Sequence, residues 1–387
     1  MRQQATNEEI VVTQLSAMAS VGGQLYRPSL AEVRHYYCRE DVLEELYAAL
    51  KLWHVRLEPG PGGRHSWYSA PSPVEIRETL VDLIDRMADE HEQFPYMRID
   101  ARRYNPVSSW DAPAYWGRDY VLEQDGRSWE FCWDAMSPIL DYLDTCGVHY
   151  WLKYTGHHSL HVVIGAENFV GTALSKVSPQ IQESFAERLV TFFNVLGRQP
   201  LYVSGYHSPP GTNMPFTLNE HSGLLNYPVL RNEIDGFNPE KASITQAEVR
   251  KFWREFPESY ANDGGARLLA AVLSDGPVIH VPEDSRFSAL LNLAESPGAR
   301  DRKEAMIRLP WFIGRDEAVD RLKAGLSDKS PVVRRAAIRA MQGITCPALL
   351  KAQREVAGSQ PEKLQKSIAT NLGLAADIAE LRAAAGA

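Results

Sequence analysis

Apolar residues recur at helical spacing from Ser29 to Trp53: Val33, Tyr36, Tyr37, Val42, Leu43, Leu46, Leu50 and Trp53, with Ser29 able to cap. Next, His54–Glu58 and the HSWYSA run (65–70) flank PGPGG (59–63), the pattern of a hairpin around a tight turn. Ser72-Pro73 opens a predicted helix over 73–92, with Val74, Ile76, Leu80, Leu83, Ile84 and Met87 on one face. A strand over 95–105 runs into Arg98, Arg102 and Arg103, and the Trp/Pro/Ser-rich stretch 106–118 reads as loop. Then comes YVLEQD (120–125), an apolar run ending in Glu123 and Asp125. A helix over about 128–146 follows, which Pro138 is expected to kink or restart. Two strand-like runs then flank the turn TGHHS (155–159), and His161 alternates with Val162 and Ile164.

Further on, Ile181, Phe185, Leu189, Phe192 and Val195 predict a helix over 178–196. The Gly/Pro-rich region 205–229 ends in a strand-like run, and 245–256 and 265–274 read as helices. After about 285 the pattern is helical with few aromatics. Residues 322–344 read as one HEAT-type unit: a helix end, an Asp-containing turn, and Pro331 opening an Ala/Val/Ile-faced helix. A solenoid needs three or more such units, so a small helical domain is expected. The predicted organisation is a polar leader (1–25), an α/β (α+β) domain (26–285) and a HEAT-like helical domain (286–387).

Composition changes this picture little. At 44% hydrophobic and 23% charged over 387 residues, the chain is that of an ordinary globular protein with ample core. No apolar run reaches membrane-spanning length, and the polar, acidic start does not read as a signal peptide. Its four cysteines form no CxxC pair, so no structural zinc is expected, and a reduced, cytoplasmic setting is the simplest expectation. The net charge of -8 lowers the expectation of a dedicated non-specific nucleic-acid binder while leaving room for a locally basic groove.

Candidate chemistry gathers between 120 and 164. Glu123 and Asp125 stand at i and i+2, so on a strand both point to one face and could seat a divalent ion. The plainer reading is a strand entering an acidic turn. His161 reads either as a core histidine or as a phosphate contact. In the second reading Thr155, Gly156 and Ser159 cradle phosphate oxygens while His157 and His158 add charge when protonated. The segment PFTLNEHSG (215–223) reads as a surface turn or as a second phosphate loop using His221 and Ser222. The basic run Arg98, Arg102 and Arg103 reads as a solvated face, with Tyr104, Trp110 and Trp116 near enough to offer a stacking platform.

The order of these features is more specific than any one of them. From about Tyr36 to Val229 the chain resembles the catalytic (small) subunit of the archaeo-eukaryotic primase superfamily. The resemblance rests on Tyr36-Tyr37 with HVRLE (54–58, containing Arg56) and on PYMRID with RRYN between 95 and 105. It continues through YVLEQD (120–125), FCWDAM with its helix, WLKYTGHHSLHVVI (151–164) and PFTLNEHSGLLNYPV (215–229). It implies a core with an RNA-recognition-like sheet, two Mg²⁺ or Mn²⁺ ions on three carboxylates, and transfer of a nucleotide to a primer 3′-hydroxyl with release of pyrophosphate. By that resemblance Asp125 matches the second carboxylate, Gly156 the turn glycine and His161 the phosphate-binding histidine. Glu123 stands where the family has Asp, His221 where it has Lys, and Leu201 where the third carboxylate is expected.

Three functions are therefore expected in competition. One is a divergent primase-polymerase in which Glu123 and Asp125 hold metal and Arg56, His161, His221 and Ser222 serve the nucleotide. The second is a non-polymerising binding or scaffold protein on the same fold. The third is a metal-dependent hydrolase of nucleotides or phosphodiesters using the His-rich turn. Expected partners are a nucleoside triphosphate, single-stranded nucleic acid, and a protein recruited by the helical tail, with no membrane.

Overall fold

A computed structural model describes residues 20–21, 24–25, 27–53, 55–58, 65–67, 72–87, 96–100, 102–104, 115–124, 129–157, 159–197, 202–203, 211–219, 222–255, 263–274 and 285–386. The fold is mixed α/β, with small antiparallel sheets and mostly helical content. It divides into two compact units. The first takes residues 1–137, 149–167 and 204–261; the second takes 138–148, 168–203 and 262–387.

The first unit opens with α1 (Leu30–Tyr37) and α2 (Glu40–Leu50). Ser29 caps α1 in a capping box: its side chain accepts from Glu32 N, and the Glu32 carboxylate accepts from Ser29 N. The single helix read from 29–53 is two, because the α1 ladder closes at Cys38 and Arg39 adopts an extended conformation before α2. The hairpin pairs β1 (Val55–Glu58) with β2 (His65–Trp67), followed by α3 (Pro73–Met87). The strand expected over 95–105 is two, β3 (Tyr96–Asp100) and β4 (Arg102–Tyr104), in different sheets. Part of the expected loop 106–118 is strand: β5 (Tyr115–Arg118) pairs with β4.

Then follow β6 (Tyr120–Gln124), α4 (Trp129–Cys146), β7 (Tyr150–Tyr154), β8 (Leu160–Ile164), β9 (Gly211–Asn213) and β10 (Tyr227–Val229). Helix α4 runs unbroken through Pro138. Both Pro138 and Asp134, whose carbonyl loses its partner, are exposed, so water can satisfy the freed oxygen. Within this unit the main sheet runs β6-β8-β7-β10, antiparallel throughout, and the second sheet runs β9-β3-β1-β2. One face of the main sheet buries Leu122, Val162, Leu152, Tyr154 and Tyr227, where Trp129, Tyr154, Tyr227 and Phe237 form an aromatic cluster.

The helix expected over 245–256 does not form; only a 3₁₀ turn at Phe252–Arg254 is present. Side-chain anchors hold this segment open. Arg250 bonds Glu233, Arg254 bonds Glu45, and Trp253 is buried against Trp53 and Trp151.

The second unit contains α5 (Pro179–Gly197), α6 (Gly264–Leu273) and three successive helix pairs. The pairs are α7 (Ser285–Glu295) with α8 (Ala299–Arg308), α9 (Asp316–Leu326) with α10 (Pro331–Ala340), and α11 (Pro347–Ala357) with α12 (Glu362–Ala385). Their shared core holds Phe287, Met306, Leu322, Val333, Leu349 and Ile368. The acidic turn of the HEAT-type unit is built on Asp328, which accepts from Ser330 N and pairs with Arg302. Those contacts, Arg302 first, hold its carboxyl below the usual range. Arg188 on α5 is buried and donates to the carbonyls of Val272, Ser274 and Gly343, which ties α5 to α6 and to the turn after α10. Among the described residues no helix is long and apolar enough to cross a membrane.

Candidate functional site

Strand register assembles the site. In the main sheet His161 of β8 lies opposite Glu123 of β6 on one side and opposite Lys153 of β7 on the other. Residues directly opposite share a face, so Glu123, His161 and Lys153 form one polar row across three strands. On the same face the flanking row is apolar: Val121, Val163 and Trp151. Strand β9 of the second sheet meets this row. Thr212 Oγ1 lies 2.9 Å from His161 Nδ1. Lys153 Nζ donates to Thr212 Oγ1 at 2.6 Å and to the Asn213 carbonyl at 2.5 Å. At the other edge of the imidazole, His161 Nε2 lies 3.2 Å from Glu123 Oε1.

The direction of the Thr212–His161 bond follows the imidazole tautomer. With Lys153 donating, Thr212 Oγ1 can give its hydrogen to His161 Nδ1 or accept a second one from it. In the tautomer that receives the Thr212 hydrogen, the His161 proton is on Nε2, facing the Glu123 carboxylate. Lys153 is fully buried and His161 nearly so, whereas the Glu123 side chain keeps 23% of its surface open to solvent. The row is therefore reached from the Glu123 side.

Burial pulls the Lys153 ammonium down to about 7. The Glu123 carboxylate opposes that shift and the Arg98 guanidinium adds to it. Arg98 arrives on β3, paired in register with Asn213 on one side and Arg56 on the other. The described part of the site thus brings two cationic groups, one imidazole and one carboxylate together.

The two loops expected to cradle phosphate do meet, but largely to bind each other. Gly156 has φ +78°, and a Cβ there would stand 2.7 Å from the Leu224 carbonyl and 2.8 Å from Asn219 Cβ, so the turn requires glycine. Asn219 donates to the Thr155 carbonyl at 3.1 Å. The Ser222 hydroxyl donates to the Gly156 carbonyl and accepts from Leu224 N. Thr155, Ser159 and Ser222 are all buried. His157 is half-buried, and its carbonyl accepts from the Tyr154 hydroxyl at 2.6 Å. Asp125, His158, Glu220 and His221 lie outside the described residues, and of Arg56 only the strand position is described.

The reading of a solvated face is corrected at Arg103; Arg98 is half-buried, and the side chain of Arg102 lies outside what is described. Arg103 is buried, bonded to Asp119 at 2.9 Å, 3.3 Å from Glu167, and stacked over the Trp53 ring. Asp119 also accepts from Trp53 Nε1 at 2.7 Å and Ala166 N at 3.0 Å. A buried arginine needs this full set of partners. The cluster fixes the start of β6 and so the placement of Glu123.

A two-ion centre needs several carboxylates converging on shared positions. Among the described residues no group of three or more His, Cys, Asp or Glu is placed to hold a metal ion. Here the described carboxylate, Glu123, faces a histidine, with Lys153 beyond it. Asp125 and Glu220, the other carboxylates near this position in the sequence, lie outside the described residues.

The structure brings Glu123 and His161, which the sequence singled out, together with Lys153 and Thr212, which it did not. Lys153 carried a usable signal. The five-residue turn 155–159 between two five-residue strands pairs 154 with 160, and hence 153 with 161. Thr212 carried none, since it lies in a stretch that reads as Gly/Pro-rich loop. The chain matches no family model, and no curated protein matches it.

Proposed function

We infer that this chain is a phosphate-recognising binding protein on a primase-like core, one that takes a nucleoside triphosphate or a nucleic-acid end without polymerising. The observation that carries this reading is the in-register row Glu123–His161–Lys153, tied through Thr212 to the second sheet. The ordered motifs from Tyr36 to Val229 support reading these two sheets as a primase-type core.

In this reading Glu123 occupies the place of a phosphate. Its carboxylate sits where an anion would accept the His161 Nε2 proton, and it is the solvent-facing member of the row. An incoming phosphate group displaces the Glu123 side chain outward, takes the His161 hydrogen bond, and is met by Arg98. Lys153 stays in the interior and holds β9 against the main sheet. The Asp119–Arg103 cluster keeps β6 in register. No covalent step and no metal ion is required for this binding cycle.

Isothermal titration of the full chain with nucleoside triphosphates and with 5′-phosphorylated single-stranded oligonucleotides tests the reading. Binding to one of these, weakened tenfold or more by His161→Ala, is expected. If none of these ligands binds, the reading fails. The competing polymerase reading draws on the same ordered motifs. It predicts template-directed incorporation with Mn²⁺ that Asp125→Ala abolishes; such incorporation by the wild-type chain would replace the binding reading.

A further inference from the structure

Charge is distributed unevenly along this chain. Residues 285–387 carry 17 Lys and Arg against 11 Asp and Glu, a net +6, although the whole chain is at -8. The remainder is therefore at -14. An acidic protein with one basic segment localises its cations for a reason of solubility or of binding, and their placement decides between the two.

Most cations of this segment have partners: Arg302 with Asp328, Arg308 with Glu304, Arg321 with Glu295, Lys323 with Asp320 and Lys366 with Glu362. Four do not. Arg300 and Lys303 on α8, and Arg335 and Arg339 on α10, are exposed, and none of the four takes part in an ion pair or hydrogen bond among the described residues. On each helix these cations share a stripe with an exposed apolar residue at i, i+3 and i+7: Arg300, Lys303 and Ile307, then Val332, Arg335 and Arg339, while α8 also exposes Asp301 and Arg308 beside it. Helices α8 and α10 pack side by side, and each also packs on a helix of the other row, α7 or α9. Their remaining faces therefore lie next to one another on one outer surface.

We propose that this α8–α10 ridge is a docking surface for the phosphate backbone of duplex nucleic acid, read without regard to sequence. Residues a turn apart stand about 5–6 Å from each other, and packed helix axes about 8–10 Å apart, so the four cations form a patch held by two rigid helices. A duplex presents about one negative charge per 1.7 Å of axis, the densest partner for such a patch. None of the exposed residues that share this face is aromatic, as a single-strand surface that stacks bases would require. The other helix row offers the contrast. Asp316, Glu317 and Asp320 on α9 and Glu355 on α11 are exposed there beside Lys351 and Arg354, so that row carries mixed charge, whereas α8 and α10 expose more cations than anions. This inference is independent of the nucleotide site proposed above, and neither depends on the other.

Fluorescence anisotropy of the full chain on a labelled 20-base-pair duplex of arbitrary sequence, across salt, is the test. Four phosphate contacts give a slope of about -3.6 in log affinity against log salt, roughly a hundredfold loss between 50 and 200 mM. The double variant Arg335→Glu/Arg339→Glu halves the slope and lowers affinity at least tenfold, and Arg300→Glu/Lys303→Glu does the same. Because all four side chains are exposed and unpaired, the variants keep the wild-type circular dichroism and melting temperature. The charge-matched control Lys351→Glu/Arg354→Glu, on α11, leaves binding within twofold. Equal losses in the control and the ridge variants would overturn the proposal. So would tighter binding of the single strand, binding of poly-glutamate in place of the duplex, or no binding at 50 mM salt.

Discussion

Replacing Lys153 by methionine tests the interior of the site through its protons. The unfolded chain holds the Lys153 proton up to the ordinary lysine value of 10.5, while the folded chain holds it only to about 7. Between those values the unfolded state binds more protons, so this group makes stability rise with pH. Below about 7 the desolvation penalty is fully present, and above 10.5 it vanishes. From pH 7 to pH 9 the rise attributable to Lys153 is roughly 2 kcal/mol, out of a full shift worth about 5 kcal/mol. Methionine fills a similar volume but leaves the Asn213 carbonyl and the Thr212 hydroxyl without their donor, which costs about 1–3 kcal/mol. At pH 7 the two effects act in opposite directions, so the pH dependence of Lys153→Met, not its absolute stability, is the readout. Urea unfolding followed by tryptophan fluorescence at pH 7, 8 and 9 measures it. The wild-type curve is expected to rise by about 2 kcal/mol more than that of the variant. Parallel curves would show that the amine is not desolvated as described and would refute the buried Lys153–Thr212–Asn213 junction.

Other consequences are structural. Gly156→Ala must fit a Cβ 2.7 Å from the Leu224 carbonyl at φ +78°, and destabilises the chain by about 2–4 kcal/mol as a drop in melting temperature. Asp119→Ala strands the buried Arg103 guanidinium and removes the acceptor for Trp53 Nε1 and Ala166 N; a loss of about 3–5 kcal/mol is expected in chemical denaturation, with a change in Trp53 emission. Raising pH through the Glu167 titration brings a further change. Burial pushes the Glu167 carboxyl up, against the pull of Arg103, so above 4.5 the folded chain holds this proton longer than the unfolded chain and stability falls as pH rises through that window; Glu167→Gln removes that fall and should steepen the acid limb of the stability curve.

Much of the local structure was legible, and the reasons differ by element. The capping box at Ser29 and the amphipathic stripes of α3 and α5 are properties of short windows, and they appear where the pattern puts them. Residues 245–256 show the limit of that logic. Their spacing suits a helix, but Arg250, Trp253 and Arg254 are each held by distant partners, and those contacts outweigh local propensity. Chain order conceals the grouping of elements in a similar way. A composition change near 285 suggests one contiguous cut, yet α5 belongs with the C-terminal helices, since Arg188 and Ser184 bond residues beyond 270. An apolar stripe says that a face is covered and does not name the cover. At the site, Glu123 and His161 were found because motif order singled them out. Lys153 was passed over because one lysine in an apolar strand reads as filler until register sets it beside His161. Arg103 was misplaced because its partner, Asp119, belongs to no motif.

The central claim is that Glu123 stands in for a bound phosphate, not for a metal ligand. Calorimetric titration of Glu123→Gln with a nucleoside triphosphate, with and without Mn²⁺, tests it most directly. Glutamine keeps the shape and can still accept from His161 Nε2, but removes the charge that competes with the ligand. Binding about tenfold tighter than wild type, or about 1.4 kcal/mol, and independent of Mn²⁺, is the predicted result. Binding that requires Mn²⁺ in the wild type and disappears in Glu123→Gln would contradict the account and return Glu123 to the role of metal ligand.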